Sequence, residues 1–156
     1  VASPVLKGSL GRASDPGVAW RICAAAHREV GDLGLALAVD PEVRVREALA
    51  SNERLSGAVQ LKLVEAGPLG VHRRLIANAS VAPGTLERLA CLPDEAVQQA
   101  LLGRLNLPIG VLERLVVSPV VSVRRVLAAN PRLHEVLRRV LLGDPDDEVR
   151  RLAAKR

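Results

Sequence analysis

A register of 26 residues runs through this chain and limits its fold more than any single residue does. A valine-type position followed by a polar residue recurs at Trp20-Arg21, Val45-Arg46, Val71-His72, Val97-Gln98, Val123-Arg124 and Val149-Arg150. Those pairs are spaced 25, 26, 26, 26 and 26 residues apart. A second column keeps the same spacing six or seven residues later, at His27, Asn52, Asn78, Arg104, Asn130 and Arg156. Two columns in one register indicate stacked repeats, because a short unit cannot bury its apolar face alone and must cover it with its neighbours.

The unit beginning at Ser118 shows what is repeated. Val120, Val123, Val126 and Leu127 fall at helical spacing and predict a short amphipathic helix. Asn130-Pro131 ends it, since a residue before proline is pushed out of the α region. Leu133, Val136, Leu137, Val140 and Leu141 predict a second apolar stripe, and Gly143 closes it. Asp15-Pro16, Asp40-Pro41, Asp144-Pro145 and Ser118-Pro119 each read as a capping side chain before a proline at the first helical position. Three leucine-type columns run behind these caps: Leu49, Leu75, Leu101 and Leu127; Leu37, Leu63, Leu89, Leu115 and Leu141; and Leu55, Val81, Leu107 and Leu133. Sustained alternation and hairpin turns, the signals of strands, are absent.

The expected fold is therefore all-α, a rod or superhelix of short helix pairs in one domain over residues 1–156. Residues 14–143 hold five full units, with partial units at 1–13 and 144–156, and acidic and basic residues near 146–151 suit a polar end. Favourable i,i+4 pairs are expected there, Asp146 with Arg150 and Asp147 with Arg151.

Composition agrees with thin, regular layers. The chain is 49% hydrophobic but has one Trp and no Phe or Tyr, so its core must be aliphatic. It also lacks the aromatic faces on which nucleic-acid bases stack. No segment reaches the roughly 18 apolar residues that span a bilayer. Residues 1–11 lack a charged, then long apolar, leader pattern. Cys23 and Cys91 form no CxxC pair and lie in apolar surroundings, so they read as small core residues of a cytoplasmic protein.

The phrases DPDDEVRRLAA, LAANPRLHEVL and APGTLERLACLPDEAV resemble the bacterial leucine-rich-repeat variant family over residues 14–156. The resemblance implies a right-handed superhelical solenoid of alternating α and 3₁₀ helices without a sheet. Units in that family are slightly shorter than 26 residues, which here favours α-helix in both halves. Some members carry a cysteine-ligated iron–sulfur domain, which usually needs four thiolates. Two distant cysteines carry over no such site, and no cofactor is expected.

Charge gives the candidate site. Residues 1–95 hold 11 basic and 11 acidic side chains, and residues 96–156 hold 11 and 6, so the whole net charge of +5 lies in the second stretch. Arg104, Arg114, Arg124, Arg125, Arg138 and Arg139 are the candidate partner-binding residues. Glu135 stands at i−4 to Arg139, whereas Arg124 and Arg125 have only Val120 and Val121 there. Their planar forks are expected to be free for carboxylate or phosphate, and replacing both by alanine to leave stability unchanged. The same excess also suits a solvated face in a chain with 19 Arg and 3 Lys.

Cys23 and His27 share a helix face, but zinc needs four ligands or three plus water, and no third is near, so no metal site is expected. His72 and His134 read as surface histidines. No nucleophile elbow, HExxH, P-loop or GxGxxG is present, and no catalytic residue or small-molecule substrate is expected. The sequence thus points to a non-catalytic scaffold for another protein, one with an acidic surface. Phosphate-backbone binding of nucleic acid through the basic C-terminal half is the alternative.

Overall fold

A computed structural model describes residues 16–27, 30–31 and 33–155. Among them every regular element is an α-helix: α1 Pro16–Ala26, α2 Leu33–Ala38, α3 Val43–Ala50, α4 Gly57–Ala66, α5 Leu69–Ala77, α6 Pro83–Ala90, α7 Glu95–Leu102, α8 Ile109–Val116, α9 Val121–Ala129, α10 Glu135–Leu142 and α11 Asp147–Ala154. Both halves of the unit are α, and none of the described residues is 3₁₀ or strand. The expected cap at Asp15 and the partial unit at 1–13 lie outside the described residues.

Eight-residue helices, about 12 Å long, are too short to be stable in isolation, so packing must hold them. Each odd-numbered helix packs on the next odd-numbered one, and each even-numbered helix on the next even-numbered one, and the rows touch each other, as α2 does α3, α6 does α7 and α10 does α11. The core lies between those rows. Leu49, Leu75, Leu101 and Leu127 come from the odd row, and Leu63, Leu89, Leu115 and Leu141 from the even row. All eight are at most 1% exposed. Each such leucine contributes about 1.5–3 kcal/mol by burial. Val45, Val71, Val97, Val123 and Val149 are equally enclosed, whereas Trp20, which holds the valine position in α1, is 64% exposed.

Three expectations need correction here. Val126, Val136 and Val140 belong to the apolar pattern but face outward; Val123 and Leu127 fill the inward stripe of α9, and Leu137 and Leu141 that of α10. Asp40, Ser118 and Asp144 are not helix caps. Helices α3, α9 and α11 begin two residues or more after the following proline, because these side chains accept from the N–H two residues on and point into the space between units. The helix caps proper include Ser56, Asp94 and Asp146, each accepting from backbone N–H groups of its helix. Finally, Cys23 and Cys91 are free and exposed, Cys91 at the C-terminal cap of α6.

Candidate functional site

Two rows of polar side chains cross from unit to unit, and they decide which charges remain available at the surface. In the first row the Asn52 amide donates to Ala25 O at 3.0 Å and His27 O at 2.7 Å. Asn78 repeats this on Ala50 O at 3.0 Å and Asn52 O at 2.8 Å. Arg104 takes the same place with its guanidinium, donating to Ile76 O and, at 3.0 Å, to Asn78 O. Helix ends leave carbonyls without intrahelical partners, and Asn52, Asn78 and Arg104 satisfy those of the preceding unit, whereas Asn130 is exposed and makes no such bond. Each Asn also turns its own chain, its Oδ1 accepting from Arg54 N or Ser80 N at 2.9 Å.

The second row occupies the position after the register valine. Arg21 Nε donates to Asp40 Oδ2 at 2.7 Å, and Arg46 reaches Asp40 O. His72 Nε2 donates to Val64 O at 3.0 Å. Gln98 donates to Ala90 O and Leu92 O at 3.1 and 3.0 Å, while its Oε1 accepts from Ser118 Oγ at 2.6 Å. Arg124, only 8% exposed, grips Asp144 through Nε at 2.7 Å and Nη2 at 3.2 Å, and donates to Ser118 O at 2.6 Å. Arg150 closes the row on Asp144 O. His72 is thus a buried member of this row, not a surface histidine; His134 is exposed and accepts from Val136 N at the start of α10.

The residues 19 or 20 positions ahead of Arg21, Arg46, His72, Gln98 and Arg124 are Asp40, Ala66, Leu92, Ser118 and Asp144, and of these Asp40, Ser118 and Asp144 bond their row member. Where that residue is polar the joint is complete. Where it is Ala66 or Leu92, a buried atom is left over, and Arg46 Nε and His72 Nδ1 are the two buried side-chain polar atoms without a partner among the described residues.

All six candidate partner-binding arginines have partners within the chain. Arg104 sits in the first row and Arg124 in the second. Arg114 meets Glu87 Oε2 at 3.2 Å, Arg125 meets Asp146 Oδ2 at 2.9 Å, and Arg139 meets Glu135 at 3.5 Å. Arg138 donates to Asn130 O at 2.7 Å and to Ala153 O at 3.2 Å. The expectation that Arg124 and Arg125 present free forks is therefore corrected, because their carboxylates come from the next unit, where i±4 pairing does not look. The same arginines hold the carboxyls of Asp144 and Asp146 below the usual carboxylate range, chiefly through their side-chain hydrogen bonds. At the end of the chain the pairs are Asp147–Arg150 and Glu148–Arg151, at i,i+3, since Asp146 is taken by Arg125.

Exposed arginines whose side chains make no hydrogen bond or ion pair lie elsewhere among the described residues: Arg54, Arg73, Arg74, Arg88 and Arg132. Four of these five fall in residues 54–88, which hold five basic and two acidic side chains within the stretch 1–95 whose overall formal charge is balanced. Its positive groups are accessible because its acids are engaged or distant; Glu65, for example, pairs with Lys62 at 3.2 Å. A cleft of about 390 Å³ opens beside Arg88, between α4 and α6. Two others, of about 480 and 360 Å³, include Arg138 and Arg124 in their walls, but both arginines are already committed to internal acceptors. No group of three or more His, Cys, Asp or Glu side chains able to hold a metal occurs among the described residues, and none of their helices is long and apolar enough to cross a membrane.

The signal that finds the second row is present in sequence. Arg21 with Asp40, Gln98 with Ser118 and Arg124 with Asp144 change character together at a fixed offset near 20 residues. No protein-family model matches this chain, and neither a curated protein nor a solved structure resembles it closely enough to count as a match.

Proposed function

We propose that this chain is a non-catalytic scaffold for protein–protein interaction, a solenoid of helix pairs with about 26 residues per unit, in the manner of the leucine-rich-repeat variants it resembles. One observation carries the reading: the interior repeats and the exterior does not. From α3 to α10 the valine column, and the columns of Leu49 and Leu63, hold a single residue type from unit to unit. The outward position Leu61, Glu87, Glu113, Arg139 runs from apolar through acidic to basic. An exterior free to vary over a constant core is what a surface shaped for a partner requires. Such surfaces favour apolar side chains beside arginine, and Leu105, Ile109 and Val117 are 98%, 52% and 68% exposed. Two free thiols suit the reducing cytoplasm, where we place the protein.

Affinity capture from native lysate, followed by light scattering of the recovered complex, tests this. A partner of fixed stoichiometry is expected. A chain that stays monomeric and recovers nothing above a scrambled-surface control overturns it. Binding of a nucleic-acid backbone by the basic C-terminal half is the alternative, and the internal pairing of its six arginines weighs against it. Titration with duplex DNA at low and moderate salt separates the two, because phosphate contacts weaken steeply with salt.

A further inference from the structure

We infer that the cleft between α4 and α6 is a docking site for an acidic side chain of a protein partner, held by Arg88 and flanked by apolar contacts. This deepens the scaffold reading and rests on it. The molecule carries its own template for the interaction one unit further on. Between α6 and α8, Glu87 reaches across to Arg114 at 3.2 Å, and its carboxylate lies over Gly110, where a Cβ would stand 2.6 Å from Glu87 Oε1. A side chain at this place in the first turn of α8 would push that carboxylate aside, and the N-terminal end of a helix favours a negative charge electrostatically.

Moving back 26 residues replaces Glu87 by Leu61, Arg114 by Arg88 and Gly110 by Gly84. The arginine and the glycine are kept and the carboxylate is gone. Gly84 has no atom within 4 Å of its Cβ position, and Arg88 is exposed without a partner. The space that Glu87 fills in the next groove is open here, as part of the 390 Å³ cleft. Leu61, 39% exposed, and Val64 form its apolar side, and Thr85 is buried at its base with its hydroxyl on Gln60 at 3.0 Å. Glu65 also lines the cleft but is paired with Lys62.

The occupant that fits is a glutamate or aspartate followed or preceded by an aliphatic residue. Its carboxylate takes the position of Glu87 relative to Arg114, and its neighbour covers Leu61. An arginine beside a carboxylate gives a charge-assisted bond, stronger than a neutral one.

The test is an amide and arginine Nε chemical-shift titration of the whole chain with a short end-blocked helical peptide carrying one glutamate between leucines. A glutamine counterpart and sodium acetate serve as the other probes. The glutamate peptide is expected to move Gly84, Thr85 and the Arg88 side chain, and the glutamine peptide to bind about tenfold more weakly, the value of one charge-assisted bond. Arg88→Ala is expected to abolish the response. Leu61→Glu, which supplies the missing carboxylate from within as Glu87 does, is expected to close the site without lowering the melting temperature. Equal binding of both peptides, shifts that fall outside the cleft, or acetate binding as tightly as the peptide each overturn the assignment. A captured partner that still binds the Leu61→Glu variant ends the docking site and leaves the scaffold reading standing. A chain that recovers no partner in any form ends the scaffold reading, whatever the peptides do.

Discussion

At Asp144 a single carboxylate serves both sides of a joint. It accepts two bonds from Arg124 of the preceding unit and one from Asp146 N of its own. Arginine and aspartate are both nearly enclosed, with side-chain exposures of 10% and 5%, and a buried charge without its partner is costly. Asp144→Ala is therefore expected to lower unfolding free energy by about 3–5 kcal/mol, measured by urea denaturation at neutral pH. Arg124→Ala is expected to do the same, so the alanine pair at 124 and 125 is not neutral to stability, contrary to the sequence expectation. The pH dependence follows from the depressed carboxyl of Asp144. Its contribution is complete above the ordinary carboxylate range and is lost as pH falls through its lowered folded-state value. Asp144→Asn should thus flatten acid unfolding below about pH 4; a variant whose acid limb matches the parent would show that the pair does not couple to folding.

At the scale of the helix and its turn, the periodicity showed nearly everything about the core and little about the joints. The columns of Leu49 and Leu63 were legible because burial imposes one residue type at each turn of a short helix. The helix starts were misplaced by two residues or more at Val43, Val121 and Asp147. A side chain before proline can cap its helix or reach a neighbour, and local sequence does not distinguish those uses. The arginine site was illegible for the same reason: Arg124 finds Asp144 through stacking, not through i±4 spacing. Leu92 allows a direct test of this joint logic. Its N–H bonds Leu89 O just as Ser118 N–H bonds Leu115 O, so both occupy the same turn, yet Leu92 offers nothing to His72 Nδ1. Because His72 Nε2 donates to Val64 O, Nδ1 of the neutral ring is an acceptor in need of a donor. Leu92→Ser is expected to be more stable than Leu92→Ala by about 1 kcal/mol, and His72→Phe to erase that difference in a double-mutant cycle followed by thermal unfolding.

For the molecule as a whole, each helix packs within its row, and on the proposed solenoid reading stability is close to a sum of unit and interface terms. Damage should accordingly spread by proximity. Leu101 in α7 is fully buried, and Leu101→Ala is expected to cost about 2–5 kcal/mol. Native-state hydrogen exchange should show the largest loss of protection in α5, α7 and α9, and the smallest in α1 and α11. Uniform loss across all helices would indicate one cooperative block instead.

The bonds from Asn52, Asn78 and Arg104 end on main-chain oxygens of the unit behind. Every residue possesses such an oxygen, so this coupling is blind to what the adjoining segment spells. Copying a segment, deleting one or shuffling their sequence order would preserve it, which gives lineages of such chains a way to lengthen or rearrange their exteriors without reinventing how the pieces join.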